Sequence, residues 1–205
     1  MKENLKTGRI VTDIYKAVQK NIRLYVFMFL FLLAMLAGAL LVKNIDKSLL
    51  EKLVTVFAAE RNQQSFWETF LYSLWSAMPL FFVLFLCGLS PAGTPLIVLA
   101  PIYKGLGTGV TMGYLYSDWG LKGVMYSFIL IVPATFIYAL TLSFCCREAH
   151  RFSALLRREM GVKAQGTVLH EEVRLYMKRF LLLTAPVLLS CIVDVILSLS
   201  FSRFF

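Results

Sequence analysis

Residues 85–116 read FLCGLSPAGTPLIVLAPIYKGLGTGVTMGYLY, and this stretch decides the fold of the chain. It contains the end of one apolar run, a turn rich in glycine and proline, and a second apolar run that carries a charge. Pro91, Pro95 and Pro101 precede Lys104, and glycines then recur at every fourth position. A helix that only faces lipid needs none of these features. The stretch therefore predicts two adjoining membrane spans, the second with a specialised face.

The composition is that of an integral membrane protein. Of the 205 residues, 59% are hydrophobic and 16% are charged, whereas a soluble domain has roughly 45–50% apolar and about 25% charged residues. The apolar residues form long blocks and leave no room for a separate soluble domain of ordinary size. The net charge is +9, but the basic residues lie beside apolar blocks. This favours membrane topology and anionic lipid over nucleic acid as the explanation.

Five apolar blocks predict an all-α membrane protein, a bundle of about five transmembrane helices. Each block is close to the length of about 20 residues that crosses a hydrocarbon core. The chain is then a single integral membrane domain of the cell membrane, residues 1–205, with spans at residues 22–42, 66–87, 96–117, 121–146 and 181–201.

Two independent signs predict the same orientation. Residues 1–21 are basic, which places the N-terminus in the cytoplasm. Residues 147–180 form the most basic connection, with eight lysines and arginines, and the same rule makes this loop cytoplasmic. Counting five spans from the N-terminus puts the loop on that side as well, and puts the C-terminus in the extracytoplasmic space.

Two segments outside the spans have amphipathic patterns. In residues 43–65 one helical face is apolar, which predicts an external amphipathic helix; it either covers the bundle or offers a contact site to an external partner. Residues 1–21 carry apolar residues at helical spacing and are either a short surface helix or a solvated leader.

Two ionisable residues lie inside predicted spans. Counted from Leu96, Lys104 lies roughly 12 Å into its span, and Asp194 lies roughly 20 Å from Leu181. A depth difference of roughly 8 Å does not favour a direct ion pair, which needs about 4 Å or less between charged atoms. Lys104 either snorkels towards the headgroups or serves transport or partner binding. Asp194 is protonated, faces a hydrated crevice, or contacts a membrane partner.

Gly105, Gly109 and Gly113 form a stripe of small residues on one helical face beside Lys104. Such stripes let helix backbones approach closely in lipid. The stripe therefore predicts a helix-packing face, against another span of the same chain or against a span of another protein.

Enzymatic and metal-binding patterns are missing from the sequence. His150 and His170 show no metal spacing, and no Walker loop, zincin motif or GxSxG occurs. Four cysteines lie in or beside apolar blocks, without metal-ligand spacing, and are interpreted as small buried hydrophobes: Cys87, Cys145, Cys146 and Cys191. We expect no enzyme, no metal and no cofactor.

The central stretch resembles the signature of the stage II sporulation protein M family. The matching residues are Gly88, Gly93, Pro95, Lys104, Gly105, Gly109, Gly113, Gly120 and Gly123. The first span, preceded by Asn21 and LYVF, is similar too, and Pro133 matches a proline of the fourth span. Ala134 and Thr135 stand where members often carry a polar Gln-Asn pair.

The resemblance implies a multi-pass scaffold of the engulfment machinery of sporulation. Family members have about five spans and are thought to hold two peptidoglycan-degrading enzymes, an amidase/endopeptidase and a lytic transglycosylase, at the septal membrane. The alternative is a small transporter or channel, or a membrane subunit of a peptide export system, in which Lys104 and Asp194 line a polar path.

Overall fold

A computed structural model describes residues 2–45, 66–161 and 166–201, and within these residues every regular element is helical. The helices are α1 (Lys2–Leu41), α2 (Phe66–Leu89), α3 (Thr94–Trp119), α4 (Leu121–Tyr126), α5 (Val132–Gly161) and α6 (Gly166–Phe201). A 3₁₀ turn, Val42–Asn44, follows α1, and a π-helical segment, Ser127–Ile131, joins α4 to α5. Most of the predicted external amphipathic segment lies outside the described residues.

Five of the described helical segments are long and apolar enough to cross a membrane. They are Ile22–Leu41, Phe66–Leu89, Thr94–Trp119, Leu121–Glu159 and His170–Ser200. The prediction of an all-α protein with five spans is therefore confirmed.

The basic segment between the last two spans is helical in its described residues and is not an irregular loop. It consists of the C-terminal half of α5 and the N-terminal half of α6, which pack together as an antiparallel hairpin. The 30 residues of α5 extend about 45 Å at helical rise, more than the roughly 30 Å of a hydrocarbon core. The hairpin therefore continues the bundle beyond one face of the membrane.

The core of the bundle lies where α1, α2, α3, α5 and α6 meet. Among its least exposed side chains are Leu84, Ile97, Cys145, Cys146 and Val195. All four cysteines are free and buried, as expected of small core hydrophobes.

Prolines interrupt the helices at sites where other groups or a changed helix geometry accommodate them. Pro101 removes the donor that Ile97 O would accept, and the thiol of Cys146 donates to this oxygen at 3.6 Å. Pro133 lies two residues after the end of the π-helical segment Ser127–Ile131, where the helix geometry changes. These adjustments keep the spans continuous.

Three segments that are far apart in sequence meet at one end of the bundle. Phe27, near the start of the first span, contacts the ring of His150 on α5. The hydroxyl of Ser153 donates to Ser90 O in the turn between α2 and α3 at 2.9 Å. The start of the first span, this turn and the α5–α6 hairpin are therefore on the same side of the membrane, which we call the basic end.

Candidate functional site

The glycine stripe of α3 packs against α1 of the same chain. A Cβ added to Gly105 would lie 2.5 Å from Phe31 O, and one added to Gly109 would overlap the carbonyl of Met35. Gly38 of α1 contributes to the same close contact, because a Cβ added to it would lie 2.5 Å from Leu106 O of α3. The two backbones can approach this closely only where side chains are absent.

The third glycine of the stripe extends the same contact towards the other end of α1. A Cβ on Gly113 would lie 2.9 Å from Ala39 O and from Val42 Cγ2. Of the two partners predicted for the stripe, the structure places a span of the same chain there. The stripe is therefore covered by α1.

The turn between α2 and α3 is built around the glycines of its motif. A Cβ on Gly93 would overlap the carbonyl of Cys87, and one on Gly88 would overlap the hydroxyl of Tyr176. Tyr176 uses this hydroxyl to donate to Phe85 O at 3.0 Å, near the end of α2. Pro95 lies in the first turn of α3, where its missing N–H costs nothing. The turn motif therefore packs the end of α2 and the start of α3 closely against the α5–α6 hairpin.

Lys104 lies in a polar cluster between four helices. Its Nζ donates to Ser76 Oγ on α2 at 3.3 Å and lies 5.2 Å from the ring centroid of Tyr138 on α5. About one turn earlier on α2, Ser73 Oγ donates to Oδ2 of Asp194 on α6 at 2.7 Å. Asp194 is also near enough to Lys104 to act on it electrostatically. We call Ser73, Ser76, Lys104, Tyr138 and Asp194 the polar cluster.

The side chains of Lys104 and Asp194 reach the same part of α2. Ser76 Oγ accepts from Lys104, and Ser73 Oγ donates to Asp194. The two serines are three residues apart, or about 4.5 Å along the helix axis.

The serines and the tyrosine of the polar cluster were missed from the sequence. Hydroxyl side chains are common in spans, and Ser73 and Ser76 give no signal beyond a spacing of three residues. Tyr138 is buried and its hydroxyl donates to Ala77 O at 3.4 Å. Ser76 is exposed and Lys104 half-buried, so the cluster reaches the outer surface of the bundle. Its chemistry is that of hydrogen bonding and charge pairing between helices.

A second cluster of charged side chains joins the two helices of the hairpin. Glu148, only 12% exposed, accepts from Arg179 at 2.7 Å and from Arg147 at 3.2 Å, and lies 3.7 Å from Arg151. Arg151 also reaches Glu172 on α6 at 3.4 Å. In the sequence these arginines indicate only the topology. In the structure they also bind α5 to α6.

The described ranges contain no group of three or more histidine, cysteine, aspartate or glutamate residues that could hold a metal ion. His150 lies against Phe27 of α1, whereas His170 is exposed on α6. No site for a cofactor follows from this arrangement.

Comparison with known families finds one that spans most of the chain. The family model described as Stage II sporulation protein M matches residues 27–198. Neither the curated proteins nor the solved structures gave a significant match. The matched range includes all five spans, at least in part, together with the turn motif, the glycine stripe and the polar cluster. The chain therefore belongs to the stage II sporulation protein M family and is a multi-pass integral membrane protein.

Proposed function

We propose that this protein is a non-enzymatic membrane scaffold of sporulation, which recruits or anchors peptidoglycan-degrading enzymes at the septal membrane during engulfment. The observation that carries the proposal is membership of the family over residues 27–198. The partners of the proposal are a membrane-anchored amidase/endopeptidase and a lytic transglycosylase.

The orientation in the proposal has the basic end in the cytoplasm. Contacts of Phe27 with His150 and of Ser153 with Ser90 bring three connections to this end, and exposed cations such as Arg23, Arg157 and Arg158 lie there. The positive-inside rule then assigns this end to the cytoplasm. Enzymes that cut peptidoglycan work on the opposite side, so they would be held through the spans and the predicted external segment 43–65.

The internal packing of the bundle supports the proposed role as a scaffold. Glycine contacts join α3 to α1, the turn motif joins α2 to the hairpin, and Glu148 joins α5 to α6. The outer face of α2 remains uncovered within the described residues, and it presents large side chains: Trp67 is 68% exposed and Trp75 is 81% exposed. A fixed bundle with such a face can hold the transmembrane helix of another protein in a defined position.

The polar cluster is the observation that favours the alternative, a transporter or a membrane subunit of an export system. Charged residues inside spans commonly mark substrate or ion pathways. In this protein both charges make contacts that hold helices together, with Ser76, Tyr138 and Ser73. This favours an architectural role for the cluster over a path.

Native purification tests the proposal against the alternative. The affinity-tagged chain is expressed in sporulating cells and purified in mild detergent, and the co-eluting proteins are identified by mass spectrometry. We expect the two cell-wall hydrolases to be enriched over an unrelated tagged five-span protein. Enrichment of a transporter ATPase without either hydrolase would contradict the scaffold and support the export subunit.

A further inference from the structure

Three basic side chains gather at the basic end, in the corner between α1, α5 and the turn that joins α2 to α3. They are Arg23 of α1 and His150 and Arg157 of α5. His150, Ser153 and Arg157 follow one another at three and four residues along α5, so they lie on one face of this helix. We call Arg23, His150 and Arg157 the basic cluster.

Arg157 binds the turn through neutral groups only. Its Nε and Nη2 donate to Pro91 O at 3.2 and 3.0 Å, and Nη2 also donates to Thr94 Oγ1 at 2.6 Å. Thr94 is the first residue of α3, so this positive side chain lies at the positive end of a helix dipole. No carboxylate among the described side chains pairs with Arg157, which remains exposed.

His150 is close to both arginines of the basic cluster. The centroid of its ring lies 6.3 Å from that of Phe27, which follows Arg23 by one helical turn. Arg23 and Arg157 both act on the imidazole electrostatically. Its Nδ1 is buried and has no hydrogen-bond partner in the part of the chain that the structure describes. A buried polar atom without a partner is unfavourable and calls for an explanation.

The nearby acids on α5 do not neutralise the basic cluster. Glu148 is directed to α6, where it pairs with Arg179 at 2.7 Å. Glu159 lies two residues after Arg157, and residues two apart on a helix do not share a face. Among the described side chains, the positive charges of Arg23 and Arg157 are therefore not balanced by a carboxylate.

We propose that the basic cluster binds the phosphate headgroup of an anionic phospholipid. Arg23 is the second residue of the first span, Ile22–Leu41, which places it at the level of the headgroups. Guanidinium groups bind phosphate with two parallel hydrogen bonds, and a helix N-terminus adds favourable partial charge. The acyl chains of the lipid would lie along the exposed apolar side chains of α1, such as Val26 and Phe29.

Lipid retention by purified variants tests this site. The chain is purified in detergent, mixed with dioleoylphosphatidylglycerol or with dioleoylphosphatidylcholine, and bound lipid is counted by native mass spectrometry. We expect selective retention of phosphatidylglycerol, reduced about fivefold in Arg23→Gln, since one basic residue near an anionic surface contributes on this scale. Arg23→Lys, which keeps the charge, should retain most of the binding.

The matched control is Arg158→Gln, which removes the same charge from an exposed position at the same end. We expect it to change retention less than twofold. An equal loss in Arg23→Gln and Arg158→Gln would overturn the site in favour of general surface charge. Equal retention of the two lipids, or complete displacement of phosphatidylglycerol by inorganic phosphate, would overturn the lipid as the ligand.

Discussion

Replacing Gly109 with leucine is expected to separate α1 from α3 and to remove most of the folded protein. Even a Cβ at this position overlaps the carbonyl of Met35, and backbone atoms on both sides leave little room for adjustment. Overpacking of a close interface typically costs about 1–3 kcal/mol, and a leucine against backbone should reach or exceed the upper value. Fluorescence-detected size-exclusion chromatography of detergent extracts measures the loss of the monodisperse peak.

The control for this substitution is Ala37→Leu, which adds the same side chain to a lipid-facing position of α1, next to Gly38. We expect its peak and its thermal midpoint to match those of the unmodified chain. If Gly109→Leu behaved like Ala37→Leu, the close approach of α1 and α3 would be refuted.

Removing both charges of the polar cluster is expected to be less harmful than the sum of the two single losses. Lys104 and Asp194 are both partly buried and act on each other electrostatically, so the loss of one leaves the other charge less compensated. We therefore expect Lys104→Met and Asp194→Leu each to lower the unfolding midpoint strongly. The double variant should lose less stability than the two single variants lose together, and the difference, the coupling energy, should be about 1–3 kcal/mol.

A double-mutant cycle of thermal unfolding in one detergent measures this coupling. A parallel cycle of Lys104→Met with Glu159→Gln supplies the control, because Glu159 lies on α5 at the basic end. Additive losses for Lys104 and Asp194 would contradict the electrostatic link across the polar cluster.

The chain's spans could be predicted because hydropathy and length are sufficient to identify them. Long apolar blocks need no knowledge of neighbouring helices, and all five blocks are helices in the structure. Helix limits were harder to predict. The apolar signal stops near Arg147, but α5 continues to Gly161, where contacts with α6 such as Glu148–Arg179 stabilise the hairpin.

The candidate sites were predicted only in part, because periodicity defines a face without defining what covers it. Gly105, Gly109 and Gly113 indicated close packing, yet only the fold shows that α1 is the partner. Lys104 and Asp194 were visible as charges within apolar blocks, whereas Ser73 and Ser76 became meaningful only when α2 was placed between them. The basic cluster was missed because Arg23 is more than a hundred residues from His150 and Arg157 in sequence.

These contacts give the proposed scaffold a physical basis. Glycine packing joins α1 to α3, the turn motif joins α2 to the hairpin, the polar cluster lies between four helices, and Glu148 joins α5 to α6. Its glycine face is covered by its own α1, whereas the outer face of α2 carries Trp67 and Trp75 exposed. A phospholipid at the basic cluster would stabilise the contact between α1, α5 and the turn that joins α2 to α3.

The most direct test of the scaffold is the position of its proposed partner in living cells. A fluorescent fusion of the amidase/endopeptidase is imaged in sporulating cells with this chain, without it, and with a tagged copy restored. The scaffold predicts that the enzyme is enriched at the septum only when the chain is present. Undiminished septal enrichment in cells that lack the chain would contradict it.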